Sequence, residues 1–244
     1  MPVKTIAEPI HDIVATNLVT PAFTFTLDSF KITNTRSLHE DSDYVSIAVA
    51  VGSNPAVSSP TKSMGNLNNG TFQVNLSIPS VAVGPTDVVA FSYAIVNSGY
   101  NQDSVEQDLK KAAAALASKA ATAAAGAVGG ALGGPPGSLL SMVGSEAFGW
   151  LLGELTGIIF PNCDGPVAAG NHAYTGAQLS QQTANGATIG ATDNNPGTNS
   201  ATGCGSNSQY YVTWSIAANA PIRINPVIGG GRPIELGNPT LKAK

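Results

Sequence analysis

The stretch from residue 101 to residue 160 organises the chain and reads NQDSVEQDLKKAAAALASKAATAAAGAVGGALGGPPGSLLSMVGSEAFGWLLGELTGIIF. It opens with acidic residues, continues as a run of alanines, and is divided by Gly133-Gly134-Pro135-Pro136-Gly137. Proline ends a helix because it lacks the backbone N–H that the helix needs. The pattern therefore predicts a helical hairpin over residues 103–160, with a second helix from Ser138 to Phe160.

A register of small residues marks the second predicted helix. Glycine or serine recurs there at every fourth position, at Gly137, Ser141, Ser145, Gly149, Gly153 and Gly157. Residues four apart lie on the same face of an α-helix. We therefore expect this stripe to be the seam that contacts the alanine-rich first helix in a tight antiparallel hairpin.

The large apolar residues of the second predicted helix point away from this seam, toward a membrane or a partner. They are Phe148, Trp150, Leu151, Leu152 and Leu155. The segment Leu139–Phe160 would be about 33 Å long as a helix, enough to cross a bilayer. Glu146 and Glu154 oppose insertion, each at about 2.5–3.5 kcal/mol. The alternative, which the pattern favours, is that this face packs onto a sheet within the fold.

Composition limits the class of protein. Hydrophobic residues make up 43% of the 244 residues and charged residues only 11%, so the chain can bury a core and is not of disordered type. The 11 lysines and arginines are scattered and the net charge is −4, which argues against nucleic-acid binding. Many glycines and prolines are typical of secreted or cell-surface β-proteins. Residues 1–17 lack the apolar core of a secretory signal, so the compartment is left open.

The rest of the sequence predicts an α+β protein, mainly an antiparallel β-sandwich that carries the helical hairpin as an insertion. Phe23, Phe25 and Leu27 alternate with polar residues, and a phase shift afterwards predicts a bulge near Asp28-Ser29. Val88–Val96 is apolar on both faces, as in a strand within a sandwich or beneath helices. We divide the single domain 1–244 into an extended arm 1–20, first strands 22–98, the hairpin 103–160, a long polar loop 161–207 with some short strands near 173–179 and 187–191, closing strands 208–228 and a tail 229–244.

Two cysteines, Cys163 and Cys204, lie near the two ends of the predicted polar loop. They permit one disulfide, which would contribute roughly 3–4 kcal/mol by closing that loop. A zinc site with Asp164 and His172 is the less favoured alternative, because the spacing matches no common ribbon or finger.

The loop His39–Asp43 places acidic side chains at alternate positions between two predicted strands. Calcium takes six to eight oxygen ligands, so Asp41 and Asp43 are candidate calcium ligands, with Asp87 approaching from another connection. The favoured alternative is a solvated loop, since the full EF-hand spacing is absent.

A lectin-like domain would also use loop aromatics and amides to bind a glycan. The candidates for that role are Tyr100, Asn171, Tyr174, Asn194 and Asn195. The favoured alternative is that they are ordinary loop residues, because this composition is generic for loops.

No catalytic motif rises above background. A Ser–His–Asp set could be assembled from His39 with Asp41 or Asp43, but no G-x-S-x-G turn and no phosphate-binding loop supports it. We therefore predict a non-catalytic binding or interaction protein, which self-associates or contacts a membrane through the hairpin. The alternative is a lectin-like carbohydrate-recognition domain with a calcium-assisted loop at residues 39–43, and a hydrolase is third. No cofactor other than calcium is expected.

Overall fold

The computed structural model describes residues 20–99, 102–128, 140–143, 145–155, 163–197, 204 and 207–219. The predicted arm, apart from Thr20, and the predicted tail lie outside these residues. The described strands are β1 Ala22–Asn34, β2 Asp41–Val51, β3 Val57–Ser58, β4 Lys62–Leu67, β5 Gly70–Ala82, β6 Val88–Asn97, β7 Leu140–Val143, β8 Gly165–Thr175, β9 Thr188–Pro196 and β10 Gln209–Ala218. The described α-helices are α1 Gln102–Val128, α2 Ser145–Glu154 and α3 Gly176–Gln182.

The strands form two antiparallel sheets that face each other. Sheet A has the order β5-β1-β10-β9, and sheet B has the order β3-β2-β6-β8-β7 with β4 also paired to β2. Across the interface, the Phe91 ring of sheet B lies 6.0 Å from the Phe25 ring and 6.0 Å from the Trp214 ring of sheet A, measured between centroids. The prediction of a mainly antiparallel sandwich with helices is confirmed.

Strand β1 shows how alternation in the sequence fixes a face. Phe23, Phe25 and Leu27 are fully buried between the sheets, and the residues between them face outward. The register against β10 shifts between Leu27 and Ser29, so the predicted bulge is confirmed.

Strand β6 lies in the middle layer of three. All ten of its residues are buried. Its face that carries Phe91 and Tyr93 packs on sheet A, and its other face, with Ala90 and Ala94, packs on the helices. The apolar pattern on both faces of this segment was therefore interpreted correctly.

Helix α1 lies directly on sheet B because both surfaces consist of small side chains. The buried set consists of Ala113, Ala117, Ala120, Ala121 and Ala124 on the helix, with Ala48, Ala50, Ala90 and Ala173 on the strands. Alanine on both sides lets the two backbones approach closely. The alanine face therefore serves sheet B, and not mainly the second helix as the sequence suggested.

The predicted second helix over Ser138–Phe160 is wrong in part, and the antiparallel hairpin is not confirmed. Leu140–Val143 forms strand β7, which pairs antiparallel with β8 at the edge of sheet B. Only α2, Ser145–Glu154, is helical in this region among the described residues. Pairing with β8 determines the conformation of four residues whose periodicity resembled a helix.

The predicted polar loop 161–207 is also wrong, because it contains two long strands and a helix. Strand β8 occupies the interior of sheet B between β6 and β7, and β9 forms an edge of sheet A that extends the predicted short strand at 187–191. The strand pattern of β8 was hard to recognise in the sequence because β8 is rich in small residues. Gly170 is one of them, and the Tyr93 ring lies 2.5 Å from where its Cβ would be.

The disulfide between Cys163 and Cys204 is confirmed, with the two Cα atoms 5.3 Å apart. It links the entry to β8 in sheet B with the segment before β10 in sheet A. Arg36 Nε and Asn97 Nδ2 both donate to the carbonyl oxygen of Cys163, at 2.9 Å and 3.2 Å. Buried polar groups thus fix the backbone that carries the bridge.

Candidate functional site

Asp41 and Asp43, the predicted calcium ligands, are fully buried at the start of β2. The two carboxylate oxygens of Asp41 accept the backbone N–H groups of Arg36 and Ser37, at 2.7 Å and 2.8 Å. The Tyr210 hydroxyl lies 2.9 Å from Asp41 Oδ2 and 2.8 Å from Asp43 Oδ2. Three of the four carboxylate oxygens therefore contact the protein itself, and both acids are buried away from solvent.

Hydrogen counting assigns a proton to this cluster. Tyr210 has a single hydroxyl hydrogen, and it can be donated to only one of the two acids. Asp41 already accepts two backbone N–H groups, which suits it to accept a third donor. Burial, and then the neighbouring Asp41 charge, raise the pKa of Asp43 well above its usual value. This raised pKa favours the protonated form of Asp43, in which its O–H would be donated to the Tyr210 oxygen while the Tyr210 O–H is donated to Asp41.

Asp87, the third predicted ligand, lies elsewhere. It accepts the backbone N–H of Gly84 at 2.8 Å within the turn before β6. Asp43 is opposite the last residue of β6, whereas Asp87 precedes its first residue. The two are thus separated by about nine or ten residues of strand, roughly 30 Å. The structure therefore does not bring the three predicted calcium ligands together, and among the described residues no group of three or more His, Cys, Asp and Glu is placed to hold a metal.

The zinc alternative is excluded at its cysteines. Cys163 and Cys204 are joined to each other, so neither is a free thiolate. Asp164 instead accepts from the Ser98 hydroxyl at 3.1 Å and so ties the entry of β8 to the end of β6.

The five apolar residues predicted to form a membrane or partner surface do not share one surface. Phe148, Leu151 and Leu155 are buried against sheet B and α1, while Leu152 is 45% exposed and Trp150 is partly buried. That part of the prediction is wrong, and the alternative of packing onto the sheet is correct for the buried three. In the described part of the chain, no helix has both the length and the hydropathy to cross a membrane.

The predicted hairpin seam is also corrected. Gly149 and Gly153 are exposed on α2, and no atom lies within 4 Å of where either Cβ would be. Ser141 lies in β7, Ser145 begins α2, and Gly157 is outside the described residues. Helix α2 packs instead through its large residues, which share one buried apolar cluster with Tyr44, Ala94 and Val96 of sheet B.

A polar cluster between the sheets centres on the Asp193 carboxylate of β9. Its Oδ2 atom lies 2.8 Å from the Tyr93 hydroxyl, 3.0 Å from Trp214 Nε1 and 2.7 Å from His172 Nε2. The other ring nitrogen of His172, Nδ1, lies 3.2 Å from the Ser141 hydroxyl oxygen. Four strands of both sheets and the short edge strand β7 thus bring a serine, a histidine and an aspartate into one chain of hydrogen bonds.

Burial and the charge of Asp193 shift the pKa of two neighbouring tyrosines. Burial, reinforced by the Asp193 charge, raises the pKa of Tyr93 well above its ordinary value and that of Tyr174 to about 12. Both phenols therefore stay neutral at physiological pH, and Tyr93 remains a hydrogen-bond donor to Asp193.

The residues proposed for glycan recognition divide between core and surface. Asn171, Tyr174 and Asn195 are buried, and Asn195 donates to the Tyr93 hydroxyl at 3.0 Å. Tyr100 lies outside the described residues. Asn194 alone among the described candidates is exposed, on the outer face of sheet A, where it accepts from Gln209 Nε2 at 2.5 Å.

That outer face carries a shallow depression of about 380 Å³. Its lining comes from all four strands of sheet A and consists of Ser29, Lys31, Thr71, Thr192, Tyr211 and Thr213. These side chains are cross-strand neighbours: Lys31 is paired with Tyr211 on one side and Thr71 on the other, and Thr213 is paired with Ser29 and Thr192. The Thr192 and Thr213 hydroxyl oxygens are 2.9 Å apart.

Sequence reasoning missed both polar arrangements. His172 was considered only as a zinc ligand, and Ser141 only as part of a helical seam. Asp193 was not considered, because its partners are 21 or 100 residues away on other strands. The outer face was detectable in principle, since polar residues at alternate positions of strands form one face.

No family model matches the chain, and no curated protein is similar enough to count as a relative.

Proposed function

We propose that this protein binds an oligosaccharide on the outer face of sheet A. The observation that carries the proposal is the depression there, in which each of the six lining side chains bears a hydrogen-bonding group. This keeps the ligand class of the lectin-like alternative but moves the site away from residues 39–43 and removes calcium from it.

The chemistry of the lining suits a sugar. Serine and threonine hydroxyls both donate and accept, as the hydroxyls of a saccharide do. The ring of Tyr211 and the methyl groups of Thr71, Thr192 and Thr213 offer apolar contacts for the C–H faces of a pyranose. The Lys31 ammonium adds up to three donors and suits a carboxylate or ring hydroxyl of the ligand.

Cross-strand hydrogen bonds hold this surface before any ligand arrives. Thr192 contacts Thr213, and the Thr26 and Ser77 hydroxyl oxygens lie 3.0 Å apart on the same sheet. Ordering a side chain at an interface costs about 0.5–1.5 kcal/mol, so side chains already held in place reduce the cost of binding. Self-association or membrane contact through α2 is not part of this proposal, because most of the apolar residues that would serve it contact sheet B.

A glycan array, followed by calorimetry with the strongest hit, tests the proposal. Lys31→Ala and Tyr211→Ala are each expected to weaken binding roughly 10-fold or more, the loss of a charge-assisted hydrogen bond or an aromatic contact. Lys110→Ala, an exposed lysine on α1, is the matched control and should bind as the unmodified chain does. Addition of EDTA should change nothing.

Two outcomes would contradict the proposal. One is an array on which no saccharide binds. The other is a hit whose affinity is the same for the Lys31→Ala, Tyr211→Ala and Lys110→Ala variants, since the ligand would then lie elsewhere.

A further inference from the structure

We infer that Ser141, His172 and Asp193 form a hydrolytic site for simple carboxylic esters, with Ser141 as nucleophile and His172 as general base. The inference does not rest on the saccharide-binding proposal. It begins with the geometry: Ser141 Oγ to His172 Nδ1 is 3.2 Å, and His172 Nε2 to Asp193 Oδ2 is 2.7 Å. Both distances are within reach of the hydrogen bonds that nucleophile activation requires.

The surroundings of Asp193 determine which nitrogen of the neutral His172 ring carries the hydrogen. Trp214 Nε1–H can only donate, and the Tyr93 hydroxyl accepts from Asn195 and so donates to Asp193. Asp193 Oδ2 therefore acts as an acceptor for all its neighbours, which assigns the hydrogen of His172 to Nε2. The lone pair on Nδ1 then faces the Ser141 hydroxyl. The better-known serine hydrolases use the same relation with the two ring nitrogens exchanged.

The proposed base and its partner are buried while the proposed nucleophile is exposed, as an acyl-transfer site requires. His172 is 3% exposed and Asp193 is 9% exposed, so the base and its partner are shielded from water. Ser141 is exposed on β7, an edge strand of sheet B, and a substrate can reach its hydroxyl. The Trp214 ring packs on the imidazole, with the two ring centroids 4.2 Å apart, and holds it in place.

The reaction balances with water as the only co-reactant. The Ser141 hydroxyl oxygen forms a bond to the ester carbonyl carbon while its proton passes to His172 Nδ1. The bond from that carbon to the leaving alcohol oxygen then breaks, and the alcohol takes the proton from Nδ1. Water next attacks the acyl group on Ser141 and gives a proton to Nδ1. The carboxylic acid departs and Ser141 recovers its proton.

The first experiment measures turnover and labelling on the full chain. The probes are p-nitrophenyl acetate for hydrolysis and a fluorophosphonate for covalent labelling, with the labelled peptide identified by mass spectrometry. Ser141→Ala should lower the acylation rate at least 100-fold, the range of nucleophile and base catalysis. Ser53→Ala, another exposed serine, should leave it unchanged.

The second experiment tests the role of Asp193. Asparagine at this position keeps an amide oxygen toward Trp214 Nε1 and His172 Nε2, which both donate, but it lacks the negative charge that stabilises the His172 imidazolium formed when Ser141 loses its proton. Asp193→Asn should therefore label Ser141 at least 100-fold more slowly while circular dichroism still shows a folded β-protein. If Asp193→Asn does not fold, labelling of Ser141 in the unmodified chain still decides the matter.

The inference is overturned if the fluorophosphonate does not label Ser141, or if hydrolysis persists in Ser141→Ala. Because Ser141 lies on sheet B and the saccharide face on sheet A, Ser141→Ala should retain saccharide binding. Failure of one proposal can thus be told from failure of the other.

Discussion

Replacement of Asp43 by asparagine should make the protein more stable at neutral pH. In the native cluster a protonated Asp43 donates to Tyr210, and Tyr210 donates to Asp41. Asparagine has nearly the same shape and carries no charge. Its Nδ2–H can replace the carboxyl O–H toward Tyr210, with its carbonyl oxygen at the place of Asp43 Oδ1, an atom with no hydrogen-bond partner.

The magnitude follows from proton linkage. Burial, and then the neighbouring Asp41 charge, raise the pKa of Asp43 well above its ordinary value in the folded state. Above about pH 4 the unfolded chain therefore loses a proton that the folded chain retains. The free energy of unfolding then falls with rising pH by about 1.4 kcal/mol per pH unit, until the pH passes the folded pKa. The asparagine variant has no such proton and lacks this component of the slope.

Urea unfolding at pH 4, 5, 6 and 7, followed by tryptophan fluorescence, measures the effect. The difference in unfolding free energy between Asp43→Asn and the unmodified chain should grow in favour of the variant as the pH rises from 4, and should level off once the pH passes the folded pKa of Asp43. Asp108→Asn, a carboxylate on an exposed part of α1, is the control and should show no such trend. A constant difference across this pH range would refute the assignment of the proton to Asp43.

Three further predictions follow from the packing. Replacing both Cys163 and Cys204 with serine should lower the unfolding free energy by about 4 kcal/mol, the loop-entropy value for a separation of 41 residues, in urea unfolding without reductant. Leu151→Ala should lower the unfolding free energy by about 2–5 kcal/mol because that side chain is fully buried. Leu152→Ala, at a site 45% exposed, should lower it by less than about 1 kcal/mol in the same assay. Equal losses for the two variants would contradict the orientation of α2. Millimolar calcium or EDTA should not shift the melting temperature, and a shift with calcium would show a site that the described acids do not form.

The sandwich was predictable where one face of a strand is apolar and the other polar. The alternation of Phe23, Phe25 and Leu27 with polar residues predicted the buried face of β1, and the phase shift after Leu27 predicted its bulge. The two apolar faces of β6 predicted its place in the middle layer. Period-two alternation is a local signal, so it can be recognised without knowledge of the partner strands.

The sequence failed where small residues hide a strand's periodicity. Strand β8 consists largely of alanine, glycine and polar residues, because α1 approaches one face closely and Tyr93 covers Gly170 on the other. Nothing local distinguishes such a segment from a loop. Strand β7 was missed for a related reason, since four residues are too few to show a strand period against the helical pattern on either side.

The polar clusters could not be predicted because their members meet only through the fold. Asp43 and Tyr210 are separated by 167 residues. In sequence, Asp41 and Asp43 look like open metal ligands because acidic residues in a loop are usually solvated. Only the burial of both, and the position of Tyr210 on the opposite sheet, shows that they share a proton.

The pairing of β1 with β10 has a mechanical consequence. These strands begin and end the described part of the chain and run antiparallel, with Phe23 opposite Ala218. A force applied at Thr20 and Asn219 would therefore pull the two strands apart from one end, and hydrogen bonds would break one after another, starting where Asn219 N–H meets the carbonyl oxygen of Ala22 at 2.8 Å. Strands loaded in this way yield at low force, in contrast to strands that must slide past each other and break all their bonds together. Tension at Thr20 and Asn219 should thus open the sandwich at a lower force than tension applied so that β1 and β10 slide past each other.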